Sequence, residues 1–126
     1  MKYINPSVLL ENGYKKWANT GIFKTNSKYF YQKRFVNDQG STKYFITIYE
    51  YEHENNELNY EVDLQFEKDD YTMNITLFAM KENMTLEEIE REVYAIWYGL
   101  DCKYYEEWLW KKIYWKLLNI LELSTN

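Results

Sequence analysis

Between Leu58 and Glu67 the chain alternates without a fault: Leu58, Tyr60, Val62, Leu64 and Phe66 are apolar, while Asn59, Glu61, Asp63, Gln65 and Glu67 are polar. Successive side chains of a strand point to opposite faces, so a period of two predicts a strand with one buried side and one wet side. The neighbouring runs can be tested against it, because a slip of one residue would turn a whole apolar set the wrong way. A hairpin around His53 to Glu57 sets Ile48 opposite Val62, Ile46 opposite Leu64 and Tyr44 opposite Phe66. A second, folding back through Lys68-Asp69, sets Tyr71 opposite Phe66, Met73 opposite Leu64, Ile75 opposite Val62 and Leu77 opposite Tyr60. All these pairs share one face, which predicts an antiparallel meander.

A further strand is expected over about Tyr29 to Val36, ahead of the Asn37-Asp38-Gln39-Gly40 turn. It alternates poorly and carries Gln32, Lys33 and Arg34 in its middle, so it is placed at the sheet edge, where charge discourages sheet-to-sheet association. Before it, Pro6 and the Asn19-Thr20-Gly21 stop frame a helix near residues 7 to 18, weakened by Gly13 by about 1 kcal/mol relative to Ala.

After the strands the period turns helical. Thr85-Leu86-Glu87-Glu88 is a capping box, followed by Leu86, Ile89, Val93, Ile96 or Trp97, and Leu100, with Gly99 as the expected stop. Asp101 would cap a second helix from about Cys102 to Glu122. The predicted architecture is α+β: a four-stranded antiparallel meander with an N-terminal helix and two C-terminal helices, in the order α-β-β-β-β-α-α. With 126 residues and no repeat or linker, residues 1–126 are expected to form a single domain.

Composition narrows the function classes. Aromatic residues make up 20% of the chain, with 14 Tyr, 5 Trp and 6 Phe, which excludes a disordered chain. A net charge of −5 opposes nucleic-acid phosphates and anionic lipid, and only Arg34 and Arg91 could offer a phosphate fork. Neither direct nucleic-acid binding nor membrane association is expected. The single Cys102 permits no internal disulfide and fits a reducing compartment, and Met1 to Leu10 lacks the pattern of a signal peptide. The expected location is the cytoplasm of a bacterial cell.

Catalytic patterns are missing. His53 sits among Glu50, Glu52 and Glu54 without a second His or a paired Cys to complete a metal set, and reads as a solvated hairpin tip. Cys102 and His53 lie in separate elements, and 4 glycines leave no material for a phosphate cradle. No metal, no cofactor and no enzymatic activity are expected.

Two aromatic surfaces exceed what a one-sided core requires. On the wet sheet face, the expected register points Phe45, Tyr49 and Tyr51 outward beside Glu61, Asp63 and Gln65, with Phe78 diagonally placed and Phe30 and Arg34 arriving from the first strand. In the last helix, Trp108, Trp110 and Trp115 spread apolar surface beyond the stripe of Tyr105, Leu109, Ile113, Leu117 and Ile120. Three occupants are open for these surfaces: the chain's own helices, a second copy docked through the last helix, or a foreign molecule. A foreign occupant could be a cationic protein surface or a nucleotide-type ligand held between rings with Arg34 or Lys33.

Tyr31-Gln32-Lys33-Arg34, Lys43-Tyr44-Phe45-Ile46, Tyr49-Glu50-Tyr51 and Thr85-Leu86-Glu87-Glu88 resemble stretches of small phage and prophage accessory proteins of low-GC bacteria, over roughly residues 8 to 108. The resemblance implies a protein that binds and inhibits a host component, such as a CRISPR or other anti-phage defence protein. A sponge for a nucleotide-derived immune signal is one alternative, and a small intracellular enzyme using surface carboxylates is another, disfavoured because Glu61, Asp63 and Glu67 read as the wet face of a strand.

Overall fold

The computed structural model describes residues 3–53 and 57–125, with side-chain surroundings for all of these except 102–112, 115 and 119–125. Its elements are α1 (Pro6–Glu11), β1 (Lys15–Ala18), β2 (Tyr29–Val36), β3 (Thr42–Glu52), β4 (Leu58–Lys68), β5 (Tyr71–Ala79) and α2 (Leu86–Thr125). The sheet is antiparallel in the order β1-β2-β3-β4-β5, an α+β arrangement. Two compact units divide the chain, Met1–Val93 and Tyr94–Asn126.

The fifth strand comes from the segment read as helix. Asn5 caps α1 by accepting from the Ser7 amide, but at Gly13 the backbone adopts φ +91°, a value that glycine tolerates and other residues resist. The helix therefore ends after one and a half turns, and Lys15–Ala18 pairs with β2. Gly13 terminates the helix instead of merely weakening it, and β2 is an inner strand. The edge passes to β1, which is four residues long, has all four residues exposed and carries Lys15 and Lys16, features that blunt edge-to-edge association.

In the central hairpin Ile48 lies opposite Val62 and Ile46 opposite Leu64, as the alternation requires. In the next hairpin the turn falls at Asp69-Asp70, both at positive φ, so Met73 meets Phe66 and Ile75 meets Leu64, two residues from the expected register. An even shift preserves the faces, which is why apolar alternation alone could not detect it. A bulge then inserts Leu77, so Thr76 pairs with Asp63 while Phe78 pairs with Val62. Phe78 consequently belongs to the inner side with Val62, and Tyr71, opposite Lys68, is 73% exposed rather than part of the core.

The inner face supplies the core: Tyr31, Tyr44, Ile46, Ile48, Tyr60, Val62, Leu64 and Phe66 are buried, together with Leu9, Tyr14, Ile89 and Val93. Each fully buried aliphatic side chain contributes about 1.5–3 kcal/mol. The Tyr14 hydroxyl donates to Glu90 Oε1 at 3.0 Å, tying the segment after α1 to the first turns of α2.

The two expected C-terminal helices are one. Thr85 caps α2 by accepting from the Glu88 amide, and the helix runs through Gly99 and Asp101 without a break. A glycine costs about 1 kcal/mol inside a helix, too little to stop one that has good formers on both sides. In the second unit, the Tyr94 ring lies 6.0 Å from both Trp97 and Tyr98, while Tyr114 and Leu117 are exposed.

Candidate binding site

The outer sheet face is organised in cross-strand rows. Trp17, Phe30, Tyr49 and Glu61 form one; Lys15, Gln32, Thr47, Asp63 and Thr76 form the next; Arg34, Phe45, Gln65 and Asn74 form a third. Of the residues expected there, Arg34, Phe45, Tyr49 and Tyr51 lie on this face, and Phe78 does not. Trp108, Trp110 and Trp115 lie outside the residues whose side chains are described.

Part of the face is covered by the β1–β2 loop. Asn19 shapes the loop: its side-chain amide donates to the carbonyls of Phe23, Lys24 and Ser27 at 3.0–3.1 Å, and its backbone amide donates to Lys28. Buried Ser27 closes the far end by donating to the carbonyls of Tyr29 and Glu50. The loop thereby lays Phe23 edge-on to Tyr49, with centroids 6.2 Å apart, while Phe30 approaches the same ring at 5.5 Å. Tyr49 is buried as a result.

Lys24 enters beside these rings. Its ammonium lies 4.7 Å from the Tyr49 ring centroid and 5.5 Å from that of Phe23, 2.6 Å from Asp63 Oδ1, and in contact with Glu61. Lys24 itself holds φ +51°, a left-handed conformation that costs a non-glycine residue roughly 1 kcal/mol.

Asp63 is fully buried in mid-sheet. Burial pushes its pKa up; Lys24 pulls it down by hydrogen bond and charge, and Glu61 adds to the rise. Thr76 gives the last and smallest pull toward the charged form but leaves Oδ2 without a hydrogen bond of proper geometry. Burial also raises the phenols of Tyr49 and Tyr51, with neighbouring carboxylates adding to it and Lys24 opposing it at Tyr49. These tyrosines act as neutral rings and hydroxyls.

Around the covered region, Trp17 is 51% exposed, Ile22 99% and Phe23 47%. Sequence reasoning missed these three and Lys24, having assigned Trp17 to a helix and the loop to its stop signal. The signal available was Gly21-Ile22-Phe23-Lys24, apolar residues inside a turn-like segment where solvation alone would favour polar ones.

The cations proposed for a nucleotide do not converge. Arg34 is engaged at the β2–β3 turn by Thr42 and the Gly40 carbonyl, and Lys33, on the inner side opposite Ile46, lies over the rings of Tyr14 and Phe35. Phe45 lines a depression of about 200 Å³ with Thr42, Gln65 and Glu67. His53 lines a groove of about 400 Å³ with Asn26, Lys28, Glu50 and Glu52, and no set of three metal-ligating side chains converges among the described residues. No described helix is long and apolar enough to cross a membrane. Compared with known proteins, the chain matches no family model, no curated protein and no solved structure.

Proposed function

We propose that this chain is a non-catalytic binding protein, of the phage accessory kind its sequence resembles, that captures a host defence protein with a basic surface and inhibits it. The observation that supports this reading most is the exposed trio Trp17, Ile22 and Phe23, with Trp17 at the end of the row that runs through Phe30 and the covered Tyr49 to Glu61. Rigid aromatic anchors beside acidic groups suit a partner that presents apolar and cationic side chains together, and anchors of this kind carry most of the energy in protein interfaces. The net charge of −5 speeds encounter with a basic partner. A nucleotide sponge is the weaker alternative, because the expected cations serve elsewhere, Arg34 at the β2–β3 turn and Lys33 on the inner side.

The test is capture from a bacterial host lysate with the unmutated chain and with Trp17→Ala and Ile22→Ser. A basic partner should bind in a salt-sensitive manner, and each variant should weaken binding at least about tenfold, the effect of losing a hot-spot contact of 1.4 kcal/mol or more. Equal capture by chain and variants rejects the assigned surface; no specific partner rejects the reading.

A further inference from the structure

Asp63 is fully buried between Thr47 and Thr76, with Oδ1 on Lys24 and Oδ2 lacking a hydrogen-bond partner. A carboxylate in that position demands a cation or a proton, because an isolated buried charge is far more costly than a paired one. The remaining walls specify which cation. Glu61 supplies a second carboxylate, and the rings of Tyr49 and Phe23 lie 4.7 and 5.5 Å from the Lys24 nitrogen. Ring faces attract an organic ammonium, whereas a hard metal ion requires six or so oxygen ligands, which this site does not assemble. The present occupant arrives from a loop outside the strand ladder, through a residue at φ +51°. It is a tethered ligand, supplied by a loop that takes no part in the strand pairing.

We propose that this cage is a primary-ammonium site filled by the chain's own Lys24, and that a lysine of the partner protein takes its place when the loop moves aside. The second half rests on the docking reading above; the cage itself does not.

Lys24→Ala removes a propylammonium's worth of side chain, so propylammonium chloride is the probe, with sodium chloride at equal ionic strength as its control. The thermal midpoint of Lys24→Ala should climb with propylammonium and not with sodium, and the response should vanish in Lys24→Ala/Asp63→Asn. If Lys24→Ala does not fold alone, folding on addition of propylammonium but not of sodium is the same result. No response, or an equal response with Asp63→Asn, overturns the cage. Exchange is tested on the unmutated chain with a short lysine-containing peptide and its norleucine counterpart. The lysine peptide alone should shift the ring signals of Phe23 and Tyr49 in NMR. Amine rescue without that shift overturns the exchange and leaves the cage standing, and both results stand apart from failure to capture a host protein.

Discussion

One sheet carries two faces that are held by different physics. The inner face buries Ile46, Ile48, Val62 and Leu64 completely, and dispersion and water exclusion hold it. The covered part of the outer face buries Asp63 in the same strand, one residue from Val62 and from Leu64, and the charge there is balanced by the ammonium of Lys24 reaching it from a loop. Apolar packing stabilises without demanding a particular partner. A buried ion pair contributes little net stability yet makes each partner indispensable to the other. The outer face is therefore the half of the sheet whose state protons, salt and competing cations can change.

The largest effect should come from the inner face. Ile46→Ala is expected to cost about 3–4 kcal/mol through lost burial and an unfilled cavity. Urea unfolding should give the same loss at mildly acidic and neutral pH, since no carboxylate or imidazole stands in the cross-strand row of Lys33, Ile46, Leu64 and Ile75. A pH-dependent loss would break the contrast between the faces.

Lys24→Met should cost nearly as much at neutral pH, about 3 kcal/mol, because it strands Asp63 without its cation. The remedy distinguishes the two faces. Adding Asp63→Leu to Lys24→Met should recover most of the loss, since an apolar replacement of a buried pair is often neutral or better. If the double variant is as unstable as Lys24→Met, the ion pair contributes more than its partners' mutual need.

The pH profile sharpens the same contrast. The Asp63 pKa is raised in the folded chain, chiefly by burial, above its ordinary value of 3.8. The native state thus holds its proton to higher pH than the unfolded chain, and stability falls as pH rises from the unfolded value through the folded one. A carboxylate in a solvated salt bridge behaves in the opposite way. Asp63→Asn should flatten that part of the profile, and Lys24→Met should extend the decline to higher pH by removing the group that pulls the pKa down. Urea midpoints against pH, with the Asp63 carboxyl followed by NMR, read both changes.

The inner face was legible in the sequence because Leu58 to Phe66 repeat with a period that geometry enforces, and the β3–β4 register came directly from it. The outer site was legible only as a set of strand residues: Tyr49, Tyr51 and Asp63 were placed on the correct side, but Lys24 and Phe23 reach them from a loop whose course no periodicity records. Gly13 shows the limit at the other end of the sheet. Its identity was visible, but whether it weakens a helix or ends one depends on β2 being available to pair with Lys15–Ala18. Phe78 was misplaced because a bulge of one residue leaves no mark in composition.

The smallest of these effects gives the cleanest comparison. Asn19 holds the loop through donations to Phe23, Lys24 and Ser27, so Asn19→Ala should cost about 1 kcal/mol, the usual net worth of such a capping side chain. Its value lies in pairing it with the larger changes. Asn19→Ala and Lys24→Met act on the same closed loop, so once Lys24 no longer fastens it, losing Asn19 should matter less, and the double variant should fall short of the sum by about 0.5 kcal/mol or more. Asn19→Ala and Ile46→Ala touch opposite faces and share no partner, so their losses should add. Additivity in both cycles would mean that the loop closes independently of the ammonium, and the outer face would then be a passive cover rather than a latch.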